Sequence, residues 1–280
     1  MSSLRPKSIP ESTARTQMVE ICRRLYDKGL IAAGDGNVSM KLDDERVLVT
    51  PSGFHKGFIQ PDDLIITDLH GKRLKGRHNP SSEFLMHELC YADRSDVRAV
   101  VHAHPPLTVA LALAGISLAQ CVLSETCLLL GPILTAPYST PTTEEVPRLL
   151  RPYLRQANAI VLDRHGALTV GRTLDEAWHR MEAMEHAAKI TQAAHAVGPV
   201  TPLGAPEVAK LQTLATRLGI PRAPDPCTLC NACPSGSGGP QPHVPRPSSS
   251  PPPNSAPSAT SLSAAAEQSI LDAVLARLRT

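Results

Sequence analysis

The segment from about residue 223 to 262 constrains this chain more than any other. It is built largely from proline, serine and glycine, with Pro251, Pro252 and Pro253 at its centre. Such a stretch has too little apolar surface to offset its own ordering entropy, and it reads as a disordered or polyproline-II tether. Folded structure is therefore expected on its two sides only: a domain over residues 1–222 and a terminal piece over residues 263–280. In that piece Ile270, Leu271, Val274, Leu275 and Leu278 share one helix face. Glu267 stands near its start and Arg277 and Arg279 near its end, the order the helix dipole favours. A helix this short is marginal alone in water and is predicted to need a partner surface.

The large segment has the patterning of an α/β domain. Helical apolar spacing is predicted over 13–28, 82–91, 107–113, 144–154, 174–196 and 206–218, with Gly29 as the stop of the first helix. Apolar, β-branched runs predict strands over 37–42, 46–50, 64–68, 97–102, 159–162 and 167–170, with a turn at Asp43–Asp44. The mixture of hairpins and alternating helices predicts a mixed, largely antiparallel sheet covered by helices. Apolar residues are 42% of the 280 and aromatics only 3%, so aliphatic side chains must fill the core. Cys22, Cys90, Cys121 and Cys127 stand singly in apolar surroundings, as buried small hydrophobes would.

Several function classes are disfavoured. A formal net charge of +2 argues against a dedicated nucleic-acid surface. No apolar run reaches the roughly 18 residues of a membrane span, and the N-terminus lacks the apolar stretch of a signal peptide, so a cytoplasmic protein is expected.

Three motifs carry chemistry. In Val100-Val101-His102-Ala103-His104-Pro105, residues two apart on a strand point the same way, so both imidazoles can face one ion. His165, before Gly166, could supply a third ligand and leave a fourth position open for substrate. The plain alternative is an ordinary surface or core histidine pair. In Asn79-Pro80-Ser81-Ser82-Glu83, hydroxyls and N–H groups at a helix start form an anion site, with Glu83 placed to act as a general base; a simple helix cap would look the same. Gly34-Asp35-Gly36-Asn37-Val38-Ser39 and Thr50-Pro51-Ser52-Gly53 are small polar loops able to turn N–H groups toward a phosphate, or merely turns. Neither has the pattern of a P-loop or a dinucleotide-binding loop.

Taken together, Gly36-Asn37-Val38-Ser39, Thr50-Pro51-Ser52-Gly53, Pro80-Ser81-Ser82-Glu83, His102-Ala103-His104, Ala136-Pro137-Tyr138 and His165-Gly166 resemble the class II aldolase/adducin family over roughly residues 10–220, and most closely its L-fuculose-1-phosphate aldolases. The resemblance implies a three-layer α/β/α fold and a homotetramer. It implies one zinc ion per subunit on His102, His104 and His165, with Glu83 at or near the metal as the acid/base. Gly36, Asn37, Ser52, Gly53, Ser81 and Ser82 would hold the phosphate. The implied reaction is cleavage of a 6-deoxyketose 1-phosphate, of fuculose or rhamnulose type, to dihydroxyacetone phosphate and lactaldehyde. Glutamate at position 83, where the epimerase branch has aspartate, favours the aldolases. The intact histidines argue against a non-catalytic, adducin-like binding protein. The sequence departs from those aldolases where they carry two proton-donating tyrosines: the equivalent places fall near Leu123 and Leu218. Ser124 or Glu125 could substitute at the first, and epimerase, dehydratase or decarboxylase chemistry stays open.

The tether and terminal helix resemble the encapsulation peptides of bacterial microcompartment enzymes, which implies shell proteins as partners. Cys227, Cys230 and Cys233 have the spacing of zinc or iron–sulfur ligands but are one short of a complete set. His243, another chain or solvent would have to complete it; otherwise they are free thiols.

Overall fold

A computed structural model describes residues 9–224. The cysteine triplet, most of the expected tether and the expected helix over 263–280 lie outside the described residues.

The chain runs α1 (Glu11–Asp27), β1 (Asn37–Lys41), β2 (Val47–Val49), β3 (Ile65–Thr67), β4 (Arg73–Lys75), α2 (Phe84–Asp93), β5 (Ala99–Ala103), α3 (Pro106–Leu113), α4 (Ser124–Leu129), β6 (Ile133–Ala136), α5 (Glu145–Leu154), β7 (Ala159–Leu162), β8 (Gly166–Gly171), α6 (Leu174–Val197) and α7 (Ala205–Arg217), with two short 3-10 turns before β3. The eight strands form one sheet in the order β4-β3-β2-β1-β5-β8-β7-β6. Only β6 and β7 pair in parallel, so the sheet is mixed and largely antiparallel, as the patterning predicts. α1 ends as expected: Gly29 takes a φ of 68°, and Leu30 N–H returns to Leu25 carbonyl oxygen.

Strand alternation divides the core into two layers. Val38, Met40, Leu48, Ala99, Val101 and Val161 pack with residues of α1 and α6. Val47, Val49, Val100, Ile160, Leu168 and Val170 pack with residues of α2 and α5. Helices thus cover both faces of the sheet, the three-layer arrangement that period-two burial requires. Cys22, Cys90, Cys121 and Cys127 are all buried, as expected.

A candidate metal centre beside a polar cavity

β5 places His102 on the same side as Val100, facing the α2 layer, and it is fully buried. Its Nδ1 lies 3.0 Å from the Ala167 carbonyl oxygen. A carbonyl only accepts, so Nδ1 carries the proton and Nε2 presents a bare lone pair, the form that ligates a metal. That Nε2 is 3.1 Å from His104 Nε2 and 3.3 Å from Glu83 Oε2, while His165 Nε2 is 3.1 Å from Glu83 Oε1. The ligand atoms of the three histidines all lie within 4.8 Å of one another. Donors on one tetrahedral ion with bonds of about 2.0–2.1 Å stand roughly 3.3 Å apart, so the three histidines could hold a metal ion after a small inward adjustment.

Local backbone geometry explains why the histidines converge. His104 N–H donates to Leu30 carbonyl oxygen at 2.8 Å, and its Nδ1 lies 3.5 Å from Asp35 Oδ2. His165 sits in the turn from β7 to β8, after Arg164 at a φ of 57°. A Cβ on Gly166 would fall 2.5 Å from Ala103 carbonyl oxygen and 2.7 Å from His104 Cδ2. Glycine is therefore the residue that lets β8 press against the histidines. Likewise a Cβ on Gly36 would meet His102 carbonyl oxygen at 2.8 Å.

Glu83 caps the start of α2, with its side chain turned into the histidines. Burial works to raise its carboxyl pKa, but attraction to the His102 and His165 rings when they carry a second proton outweighs that and holds it well below the usual carboxylate range. Burial, then repulsion from His102 and His165, pushes the His104 imidazole down to about 4, so it is neutral at pH 7.

The expected anion-binding residues lie close by, in unequal roles. A bridge between Pro51 and Pro80, and Ser52 N–H donating to Asn79 carbonyl oxygen at 3.0 Å, join the two loops. Ser52 and Ser82 line one cavity of about 600 Å³ with Phe54, Arg77, His78 and Asn79. Gly53, at a φ of 73°, has open space where a side chain would stand. Ser81 is turned inward and its Oγ accepts from Glu83 N–H at 3.3 Å. Asn37, opposite His102 in the β1–β5 register, gives its side-chain N–H to Glu83 Oε2 at 2.8 Å.

The family model described as "Class II Aldolase and Adducin N-terminal domain" matches residues 16–192, more than half of the chain. This chain belongs to that family. It is 30% identical over 181 residues to an L-fuculose phosphate aldolase of Methanocaldococcus jannaschii, covering 63% of this chain and 94% of the relative. It is 29% identical over 208 residues to a methylthioribulose-1-phosphate dehydratase of Methylococcus capsulatus (66% and 96% covered) and 29% identical over 209 residues to a 3-oxo-tetronate 4-phosphate decarboxylase of Escherichia coli (72% and 97% covered). The solved L-fuculose-1-phosphate aldolase of Thermus thermophilus superposes with a TM-score of 0.59 at 29% identity, covering 68% of this chain and 99% of that one. The family and its fold are thus shown, and this chain's histidine triad could hold a metal; the relatives' own names span three reactions.

Sequence reasoning passed over His87, Tyr91 and Lys56, and quoted Ser39 only as part of the Gly36-Asn37-Val38-Ser39 motif, without a role of its own. Lys56 is buried, and its ammonium donates to Gly34 carbonyl oxygen at 2.5 Å, tying down the loop before Asn37. His87 and Tyr91 follow Glu83 at four-residue intervals on α2. A polar series at four-residue spacing along one face of α2 was the signal that could have found them.

Proposed function

We propose that this class II aldolase family member is a zinc-dependent lyase that cleaves a 6-deoxyketose 1-phosphate, of fuculose or rhamnulose type, to dihydroxyacetone phosphate and lactaldehyde. The observation that carries the reading is the convergence of His102, His104 and His165 on one point with Glu83 beside them, next to a cavity lined by Ser52 and Ser82. Bound there, the metal would supply Lewis-acid stabilisation for negative charge developing on the substrate's oxygens as the carbon–carbon bond breaks. Glu83, ionised and hydrogen-bonded by Asn37, takes or returns the proton at a carboxylate oxygen. Ser52, Ser82 and the neighbouring loop N–H groups of Gly36, Asn37, Gly53 and Ser81 receive the phosphate. Release of dihydroxyacetone phosphate from fuculose 1-phosphate or rhamnulose 1-phosphate, lost with chelator and restored by zinc, is the expected result. A metal-loaded chain that cleaves neither sugar refutes the substrate assignment.

One observation favours a second reading. By the resemblance, the aldolases' two proton-donating tyrosines fall near Leu123, which precedes α4, and near Leu218, which follows α7 and is exposed; neither is a phenol. A site that keeps the metal and Glu83 but lacks that donor suits a sugar-phosphate dehydratase or decarboxylase. A dehydrated keto product or carbon dioxide, rather than lactaldehyde, from the matching phosphates would decide for it.

The tail and assembly form part of the same proposal. Residues 263–280, by their amphipathic sequence, dock on a microcompartment shell protein, and four chains form the working oligomer. Deleting 262–280 is expected to abolish shell co-purification and leave turnover intact; the reverse result defeats the assignment. Cys227, Cys230 and Cys233 would add a second zinc or an iron–sulfur group, in which case serine at all three lowers the metal count by that amount without touching the histidine site.

A further inference from the structure

Behind Glu83 runs a buried chain of side-chain hydrogen bonds that the proposed chemistry leaves unused. The Tyr91 hydroxyl lies 2.6 Å from Ser39 Oγ, and Ser39 Oγ lies 2.6 Å from His87 Nδ1. His87 Nε2 bonds Asn37 Oδ1, and Asn37 Nδ2 donates to Glu83 Oε2 at 2.8 Å. Asn37, Ser39, His87 and Tyr91 are all buried, so water cannot substitute for a missing partner.

The direction of every bond follows from the Asn37 amide, whose Nδ2 donates to Glu83 Oε2 while its Oδ1 faces His87. Asn37 Oδ1 is then left facing His87 and can only accept, which puts the ring proton on Nε2. Burial holds the His87 imidazole neutral, its pKa pushed down to about 3, so Nδ1 is bare and accepts the Ser39 proton. Ser39 oxygen then accepts from Tyr91, whose hydroxyl is held protonated by burial. The flipped amide would set Asn37 oxygen against Glu83 oxygen and reverse the bonds behind it, leaving the Tyr91 hydroxyl to donate where no acceptor stands among the described residues, so one orientation alone satisfies every member.

We propose that Tyr91, Ser39 and His87 are positioning residues that lock the Asn37 amide and, through it, the plane of the Glu83 carboxylate. With Oε2 held by Asn37, Oε1 is aimed at His165 and the lone pairs of the base are fixed before substrate arrives. The chain is no route for protons, because the Asn37 amide in it does not pass a proton from Oδ1 to Nδ2. Its catalytic weight rests on the reading of Glu83 as the acid/base; its polarity does not.

The test therefore has two arms. In the metal-loaded full chain at pH 7.5, 15N-histidine spectra are expected to show His87 as a pure Nε2–H tautomer, whatever the substrate proves to be. An Nδ1–H or averaged His87 overturns the proposal even if the enzyme assignment is right. In the activity arm, His87→Leu is expected to lower kcat by ~10²-fold, Ser39→Ala by ~10-fold and Tyr91→Phe by a few-fold, with KM and zinc content unchanged, the size expected when a base is slightly misaimed. His87→Gln, which can still offer an N–H to Asn37, is expected to recover much of that loss. Cys90→Ala, in the same helix but outside the chain, is expected to lower stability and leave kcat alone. Wild-type kcat in Ser39→Ala and His87→Leu, or equal loss in Cys90→Ala, overturns the proposal. Should His87→Leu fail to fold, the smaller Ser39→Ala and Tyr91→Phe changes carry the same comparison.

Discussion

The two faces of the sheet handle buried polar groups in different ways. On the α1/α6 face they end mostly on backbone, the bonds from Thr108 hydroxyl to Glu185 and from Arg180 to Glu176, both 2.8 Å, aside. Glu185 accepts from Leu107 and Thr108 N–H groups at 3.0 and 2.9 Å, Thr169 donates to Ala177 carbonyl oxygen at 2.8 Å, and Arg180 reaches Val170 carbonyl oxygen. On the α2 face they link side chain to side chain, from Tyr91 through Asn37 to Glu83. A bond to backbone fixes where an element sits; a chain of side chains fixes one rotamer at its end. The first face is thus organised for stability and the second for aim.

The sharpest break in that contrast is at the metal. His102→Ala is expected to remove zinc from the histidine site and lower turnover by at least ~10³-fold, because Lewis-acid stabilisation of the reacting oxygens is worth several kcal/mol. The folded core should survive, since His102 packs at a strand end and the apolar layers stay intact. Metal analysis and circular dichroism on the same sample check both halves.

The opposite pattern is expected from Met181→Ala, deep in the α1/α6 layer. It should cost about 3 kcal/mol of unfolding free energy, within the usual range for a truncated buried methionine. Activity per folded chain should not change. A large fall in kcat there would mean that the two faces are not separable.

The histidine end of the site was legible because strand period and a His-Gly turn are local patterns. His102 and His104 share a side by two-residue spacing, and Gly166 announces a close approach that its neighbours then confirm. The α2 chain was not legible in the same way. Glu83, His87 and Tyr91 stand at helical spacing, but their partners Asn37 and Ser39 are some fifty residues away, joined only when β1 packs beneath α2. Among the elements, β4 went unassigned because all three of its residues are exposed and polar or half-apolar, the mark of an edge strand. α4, of six residues, and β6, of four after Gly131-Pro132, are too short for periodicity to separate from loop. The boundary of α2 also moved: it begins at Phe84 rather than at residue 82, which leaves Glu83 as the capping residue with its carboxylate free to turn toward the histidines.

Acid should act through the α2 face first. His87 in the folded chain resists protonation until about pH 3, whereas in the unfolded chain it titrates near its ordinary 6.5. Between those values the unfolded state binds a proton that the folded state refuses, so stability falls as pH drops through that window. From pH 6.5 to 5 the loss should be about 2 kcal/mol, at roughly 1.4 kcal/mol per pH unit. His87→Gln removes this contribution; denaturant unfolding of both proteins at pH 7 and 5 compares the slopes. Equal slopes would mean that His87 is not the group that refuses the proton.

The smallest expected effect isolates helix anchoring from aim. Thr173 caps α6, its side-chain oxygen accepting from Glu176 N–H at 3.1 Å. Thr173→Ala leaves that N–H without its cap and should cost about 1 kcal/mol. α6 carries Glu185, which holds the start of α3 just after His104-Pro105, so a frayed α6 has a route to the metal site. That route is long, however: more than two helical turns of well-packed residues, including the buried Trp178, Met181 and Met184, lie between the cap and Glu185. Fraying confined to the first turn should stop before them, so Tm should fall by a few degrees while zinc affinity and kcat stay at wild-type values. If zinc affinity falls with Tm, the α1/α6 face also aims the site, and the division between the two faces gives way.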